Sequence, residues 1–146
     1  MRPDLSLDVT LEVRDRCLCL HLQRAARSVA RMFDDVLRPV GLTNGQFSLL
    51  ISLNRPEAPR MNDVASLLAM DRTTLTANLK PLQKRGLILV EVDQKDRRGR
   101  RLVLTDAGRD VLTQAVPVWR KTHEDLDRLL TTLTPSALRQ ALIDLT

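Results

Sequence analysis

Residues 71–105, DRTTLTANLKPLQKRGLILVEVDQKDRRGRRLVLT, change from a helical to a strand period within one short stretch. Leu75, Leu79 and Leu82 recur at spacings of four and three, which places them on one face of a helix. Asp71 can cap the first N–H groups of this helix, and Gly86 can end it in a left-handed conformation. The first half of the stretch therefore predicts one amphipathic helix.

After Gly86 the apolar residues alternate, as they do along a half-buried strand. Two alternating runs flank a turn at residues 93–100, in which six of the eight residues are charged. The alternating positions are Ile88, Val90, Val92, Leu102 and Leu104. Because so many charges cannot be buried without partners, the turn is predicted to be the exposed tip of a β-hairpin, or wing.

Two shorter helices are predicted before this stretch. Thr43 and Gln46 stand three residues apart in front of an apolar run, which is the pattern of a capping box. After a proline-containing loop, Asn62 and Asp63 start a helix that ends near Met70. Together with the helix that Asp71 caps, it forms a helix-turn-helix. The predicted fold class is therefore mostly α with a small β-hairpin wing.

Longer helices are predicted at both ends of the chain. One spans residues 17–40, a second runs from Asp106 to Leu133, and Thr134-Pro135 starts a last one. The two long helices carry heptad stripes of apolar residues. Because the central region already covers its own apolar faces, we expect these stripes to be covered by a second copy in a twofold homodimer. The alternative is that they pack only on each other within one monomer.

The net charge of +5 is concentrated in one segment. Between Lys80 and Arg101, eight basic residues face three acidic ones, a surplus equal to that of the whole chain. Such a segment is typical of a surface that binds a polyanion.

Other functional classes find little support in the composition. The apolar runs are too short to span a bilayer, and the N-terminus lacks the apolar core of a signal peptide, so we expect a cytoplasmic protein without membrane contact. Cys17 and Cys19 are too few for a disulfide framework or a structural zinc site. No phosphate loop or nucleophile–base spacing is recognisable, so we expect neither enzymatic activity nor a cofactor or metal.

The second helix of a helix-turn-helix enters the major groove of DNA. Threonines on its outward side can contact base edges, an alanine can contact a thymine methyl, and basic residues suit phosphates. The candidate residues are Arg72, Thr73, Thr74, Thr76, Ala77, Lys80 and Lys84. Alternatively, the threonines are ordinary surface or capping residues. Pro81 lies within the same helix, where it is expected to cause a bend.

The wing supplies a second candidate contact, since a narrow basic tip can place a guanidinium in the minor groove. The candidate residues are Lys95, Asp96, Arg97, Arg98 and Arg100. We expect the carboxylate of Asp96 to hold the Arg98 guanidinium in one orientation through a charge-assisted hydrogen bond. A merely soluble turn is the alternative, although mixed charges would serve solubility equally well.

The helix order, the run DRTTLTANLKPLQKRGLI and the run DRRGRRLVLTDAG resemble the MarR-type winged helix-turn-helix regulators. The resemblance implies a homodimeric transcriptional regulator, a repressor that binds a palindromic double-stranded operator and is released by a small-molecule effector. It places the family's wing arginine at Arg98 and its supporting aspartate at Asp96, whereas Ala77 stands where members often have an arginine. The implied boundaries are a single domain at 1–146, a winged helix-turn-helix at about 43–105, and dimerisation helices at about 12–41 and 106–146.

Two other functions stay open at this point. Cys19 coincides with the sensing cysteine of the organic-hydroperoxide sensors of this family, and Cys17 is a second thiol. Gln23 and Phe33 stand where those sensors have tyrosines. We expect Cys19 to be buried, because it lies on the apolar stripe, and Cys17 to be exposed. The other alternative is a winged-helix protein-interaction module, which needs no basic wing.

His123 lies near Trp119 on the apolar stripe of the long C-terminal helix. It is either an ordinary packed histidine or part of an effector pocket at the dimer junction. For such a pocket the resemblance implies a small phenolic or aromatic ligand.

Overall fold

The computed structural model describes residues 2 and 4–146, and it confirms a mostly helical fold with one β-hairpin. In chain order the elements are α1 (Leu7–Arg16), α2 (Leu18–Leu37), α3 (Asn44–Ser52), α4 (Met61–Leu67), α5 (Arg72–Lys84), β1 (Ile88–Val92), β2 (Arg100–Leu104), α6 (Asp106–Asp127) and α7 (Pro135–Ile143). A 3₁₀ turn at Arg38–Val40 closes α2. None of the helices in the described residues is long and apolar enough to cross a membrane.

The N-terminal region contains two helices where the sequence pattern predicts one. Cys17 lies between α1 and α2 in an extended conformation, and its Sγ accepts a hydrogen bond from the N–H of Leu20 at 3.4 Å. The pattern missed α1 because this helix buries none of its side chains, so its sequence carries no core-facing stripe.

The helix α3 is fixed at its start by two sets of hydrogen bonds. Thr43 and Gln46 form the predicted capping box, with distances of 3.2 and 3.1 Å. In addition, Oδ1 of Asp34 in α2 accepts hydrogen bonds from the backbone N–H and the side-chain amide of Asn44, at 2.7 and 2.8 Å. These bonds favour the charged carboxylate and lower the pKa of Asp34. They attach the helix-turn-helix region to α2.

The cap of α5 also matches the prediction. Oδ1 of Asp71 accepts the N–H of Thr74 at 2.7 Å, and Oδ2 accepts its hydroxyl at 2.9 Å, which lowers the pKa of Asp71. Gly86 follows the helix with φ +70°, in the left-handed region that favours glycine. Pro81 lies within α5. The preceding helix α4 begins at Met61, slightly before its predicted start.

The wing pairs in antiparallel register, with Ile88 opposite Leu104 and Val90 opposite Leu102. Its inner side chains pack into one core with α2, α3, α5 and α6. The most deeply buried apolar side chains are Leu37, Leu49, Leu50, Val64, Leu75, Leu79, Leu82, Ile88 and Leu102. The three leucines predicted to face inward from α5 are all among them.

The C-terminal helices differ from the prediction in one boundary. The helix predicted to reach Leu133 ends at Asp127, and residues 128–134 form turns before Thr134 caps α7. This turn segment contains Thr131 and Thr132, whose β-branched side chains lower helix propensity.

Large apolar side chains stay exposed at the two ends of the chain. In and around α1, after α6 and in α7 they are Leu5, Leu7, Val9, Val13, Leu18, Leu129, Leu133, Leu142, Ile143 and Leu145. Within α2, Phe33 is buried, whereas Ala26 and Cys19, one and two heptads earlier on the same apolar stripe, are exposed. The described protomer therefore covers only the C-terminal half of that stripe.

Candidate nucleic-acid interface

A cleft of about 230 Å³ lies where α5, the wing and the start of α4 meet. Arg72 is the first residue of α5, and it lines this cleft together with Arg98 and Arg100 of the wing. Arg60, which precedes α4, also lines the cleft. The fold thus brings the start of the candidate recognition helix and the wing tip to one concave surface.

The seven candidate residues of α5 are all exposed: Arg72, Thr73, Thr74, Thr76, Ala77, Lys80 and Lys84. The hydroxyl of Thr74 donates to the Asp71 cap, and that of Thr76 donates to the carbonyl of Arg72 at 2.8 Å. Their hydrogens are therefore used within the helix. Lys80 and Lys84 form no ion pair with any residue that the structure describes, so their charges are available to an external anion.

The Arg98 side chain is 94% exposed at the tip of the wing. Oδ1 of Asp96 accepts the backbone N–H of Arg98 at 3.1 Å and lies 3.5 Å from its Nε. The expected charge-assisted hydrogen bond to the guanidinium is thus replaced by a longer ion pair, because the backbone N–H takes the carboxylate. Asp96 shapes the turn more than it holds the arginine.

The other basic residues of the wing differ in their exposure and in their hydrogen bonds within the chain. Lys95 and Arg97 are exposed. Arg100 is half-buried, and its Nη1 donates to the carbonyls of Arg97 and Gly99 at 3.2 and 3.0 Å. Arg100 therefore folds back on the turn, and its contribution to an external contact is through charge.

Asp93 corrects the prediction of a uniformly exposed tip, because its side chain is only 1% exposed. Oδ1 accepts the N–H of Lys95 at 3.0 Å and lies 3.3 Å from Nε of Arg101, while Oδ2 lies 2.9 Å from Nε of Arg60. The Lys95 N–H, followed by the charges of Arg101 and Arg60, lowers the pKa of Asp93. The carboxylate is thus buried with two cationic partners.

The segment before α4 is joined to the wing by backbone contacts that sequence reasoning missed. The N–H of Leu102 donates to the carbonyl of Pro59 at 3.0 Å, and Nη1 of Arg101 donates to the carbonyl of Ala58 at 2.6 Å. Arg60 itself forms an isolated antiparallel bridge with Arg101. Arg60 has no helical or strand period around it in the sequence, so only the tertiary fold reveals its place beside the wing.

Comparisons with known proteins agree with this geometry. The model of the MarR family matches residues 42–99. The M. tuberculosis transcriptional regulator MosR, solved in complex with DNA, is 35% identical, with 89% of this chain and 93% of that chain covered and a TM-score of 0.81. The chain belongs to the MarR family. Members of this family are winged-helix transcriptional regulators.

Two further MarR-family comparisons differ in how much of the relative is matched. The transcriptional repressor CouR, solved bound to a 23-mer DNA duplex, is 34% identical over 92% of both chains, with a TM-score of 0.72. The transcriptional activatory protein BadR of Rhodopseudomonas palustris is 29% identical over 111 residues, which are 74% of this chain and 63% of BadR. The chain therefore covers less than two thirds of the length of this curated relative.

The cysteines of this MarR-family chain reverse the expected exposure. Cys19 is exposed in the described protomer, and Cys17 is half-buried because it sits at the junction of α1 and α2. The Sγ of Cys19 accepts a hydrogen bond from Nε2 of Gln23 at 3.1 Å. Among the described residues, the side chains at the N-terminal end of the apolar stripe are exposed or only half-buried, which explains why the prediction of a buried Cys19 was wrong for the protomer.

The candidate effector residues lie in an aromatic cluster that joins α2, α3 and α6. The ring centroids of Trp119 and His123 are 4.9 Å apart, Phe33 is 5.9 Å from His123, and Phe47 stacks on Trp119 at 6.0 Å. Nδ1 of His123 also lies 3.5 Å from Oδ1 of Asp127. This packing fits His123 as an ordinary packed histidine. It also fits His123 as part of an effector pocket, since its side chain remains 32% exposed.

Proposed function

We propose that this MarR-family chain acts as a homodimeric, sequence-specific double-stranded DNA-binding transcriptional regulator. The observation that carries the proposal is the basic cleft shared by Arg72 of α5 and Arg98 of the wing. A recognition helix in the major groove and a wing reaching the adjacent minor groove would place this cleft against the sugar–phosphate backbone. The structures of MosR and CouR with DNA support DNA as the ligand.

The homodimer is proposed from the apolar side chains left exposed by the terminal helices. They belong to α1, the start of α2, the segment after α6, and α7. Fewer lie in the winged helix-turn-helix at about 43–105, where Ile51, Leu67, Leu89 and Val92 are exposed. Exposed apolar area of this kind usually marks an interface. A twofold dimer would cover it and present two recognition helices to a palindromic operator.

The test measures duplex affinity against salt concentration, with operator fragments selected from genomic DNA. Lys80→Gln and Arg98→Gln remove one charge each from the proposed interface. Lys121→Gln and Arg128→Gln make the same charge changes in or just after α6, where both side chains pair with Asp125. Lys80→Gln and Arg98→Gln should each weaken DNA binding about tenfold. Each should also reduce the slope of log K, the association constant, against log salt concentration by about 0.9 per lost phosphate contact. If both pairs of variants behave alike, the wing and α5 are not the DNA-binding surface.

The sign and control of regulation are part of the proposal. CouR is a repressor, and the resemblance to the family favours a repressor released by a small phenolic or aromatic anion. The aromatic cluster supports a binding place beside Trp119 and His123, where the ring of a ligand could stack. Trp119 is the only tryptophan of the sequence, so its fluorescence reports directly on binding of a panel of hydroxybenzoates. A ligand that quenches Trp119 and also lowers operator affinity would support this role.

Thiol-based redox regulation remains a second candidate, because Cys19 is exposed and receives an amide N–H. Peroxide should then lower the operator affinity of the wild type, and Cys19→Ser should abolish that response. Unchanged affinity in oxidised wild type would remove this candidate.

A further inference from the structure

The turn of the wing contains a buried carboxylate, directly after β1, that the recognition roles of α5 and the exposed wing residues do not explain. Asp93 is shielded from solvent, and its Oδ2 accepts no aligned hydrogen bond from any residue in the described part of the chain. Nε of Arg60 lies 2.9 Å from Oδ2, but this contact is ionic and poorly directed. A buried carboxylate with an incompletely satisfied oxygen is unfavourable by itself, so its position needs a reason.

The two arginines beside Asp93 differ in their remaining donors. Arg101 is 25% exposed and uses Nη1 to bind the carbonyl of Ala58, which fastens β2 to the segment before α4. Arg60 is 49% exposed, and its terminal nitrogens form no hydrogen bond with the described residues. Arg60 is therefore held at Nε by Asp93 while its terminal donors stay available to a ligand.

The surroundings of Arg60 suit an anion. Four arginines line the cleft, and only two carboxylates oppose them, which leaves a positive surplus of two in about 230 Å³. The lining charged residues are Arg60, Arg72, Arg98, Arg100, Asp93 and Asp96. Arginine donors in a shallow polar cleft match the oxygens of a phosphate group.

We propose that this cleft binds a phosphodiester of the operator strand, that Arg60 donates to it, and that Asp93 positions Arg60 for that contact. The inference rests on the proposed function. In that function α5 contacts the major groove and the wing contacts the adjacent minor groove, so the DNA strand between the two grooves passes over the cleft. Asn62, which also lines the cleft, adds a neutral amide to the same wall. Arg60 and Asp93 are thereby added to the candidate interface, outside the residues that the sequence pattern singled out.

The first test compares Arg60→Gln with Arg128→Gln, which removes the same charge after α6. Arg60→Gln should weaken binding about tenfold to the operator and to an unrelated duplex alike, because a phosphate carries no base identity. The slope of log K against log salt should fall by about 0.9 with Arg60→Gln and stay unchanged with Arg128→Gln. Arg60→Lys, which keeps the charge, should recover the slope. A wild-type slope in Arg60→Gln would overturn the inference.

The second test separates positioning from charge. Asp93→Asn removes a negative charge close to the DNA, so charge alone predicts tighter binding, whereas loss of positioning predicts weaker binding. The double variant Arg60→Gln/Asp93→Asn should bind no more weakly than Arg60→Gln, because both substitutions remove the same contact. Tighter binding by Asp93→Asn, or additive losses in the double variant, would refute the positioning role.

Thermal unfolding of every variant controls for folding. If Asp93→Asn does not fold, the comparison of Arg60→Gln, Arg60→Lys and Arg128→Gln still decides whether the cleft binds a phosphate. Wild-type protein that binds duplex DNA while Arg60→Gln leaves affinity and slope unchanged refutes only this inference. Wild-type protein that binds no duplex in a salt-dependent way refutes the proposed function itself.

Discussion

Gly108 controls how closely α6 approaches the base of the wing, and Gly108→Ala tests this contact. The glycine is buried in the first turn of α6. A Cβ added there would overlap the carbonyl oxygen of Leu87 and come within 2.6 Å of Cδ1 of Leu104. The Leu104 methyl can rotate away. The Leu87 carbonyl is fixed, because it accepts the N–H of Thr105 at 3.1 Å just before α6.

The expected cost follows from these contacts. Overpacking of a tight core costs about 1–3 kcal/mol, and the upper end applies because one of the atoms is backbone. Weakening the Thr105–Leu87 hydrogen bond adds about 1 kcal/mol, while replacing glycine in a helix returns about 0.5–1 kcal/mol. The net loss is therefore about 3 kcal/mol, which lowers the Tm of a chain of this size by roughly 6–12 °C.

Urea unfolding at a fixed protomer concentration measures this loss. Gly45→Ala is the matched control, because no described atom lies within 4 Å of a Cβ added in α3 and the substitution should stabilise by about 0.5 kcal/mol. Gly108→Ala should also weaken operator binding, since the wing is displaced relative to α5. A wild-type urea midpoint and slope in Gly108→Ala would show that the close approach of α6 does not require glycine.

Three further predictions concern the helices that hold the interface. Thr105→Ala removes the α6 cap and should destabilise by about 1–2 kcal/mol in urea unfolding, whereas Thr105→Ser should retain most of the stability. Asp34 has a lowered folded pKa, so its contribution to stability is present above the ordinary carboxyl pKa of 3.8 and lost as the pH falls through the folded value. Asp34→Asn should therefore flatten the loss of stability as the pH falls below 3.8, and an unchanged profile would contradict the role of its bonds to Asn44. Pro81 lies within α5, where we predict a bend; Pro81→Ala should then straighten the helix and weaken operator binding, and unchanged affinity and curvature would contradict this role.

Local chemistry explains which parts of the fold could be predicted from the sequence. The caps at Thr43, Asp71, Thr105 and Thr134 involve residues within three positions of each other, so their patterns are visible in the sequence. The register of the wing follows from alternation in the same way. The helix α1 was not predicted, because it buries no side chain and so carries no core-facing apolar stripe.

The candidate site was harder to predict than the fold, since its charges are sorted by tertiary contacts. Arg101 and Arg85 belong to the basic segment, but Arg101 is paired with Asp93 and Arg85 donates to the carbonyl of Gly41 at 2.8 Å. Both guanidinium groups therefore already have partners within the chain. Arg60 and Arg72 come from outside that segment and line the cleft. The sequence pattern singled out Arg72, Arg98 and Arg100 of this cleft but not Arg60. We predict that the salt dependence of binding follows the guanidinium groups that the fold leaves free, not the count of basic residues along the chain.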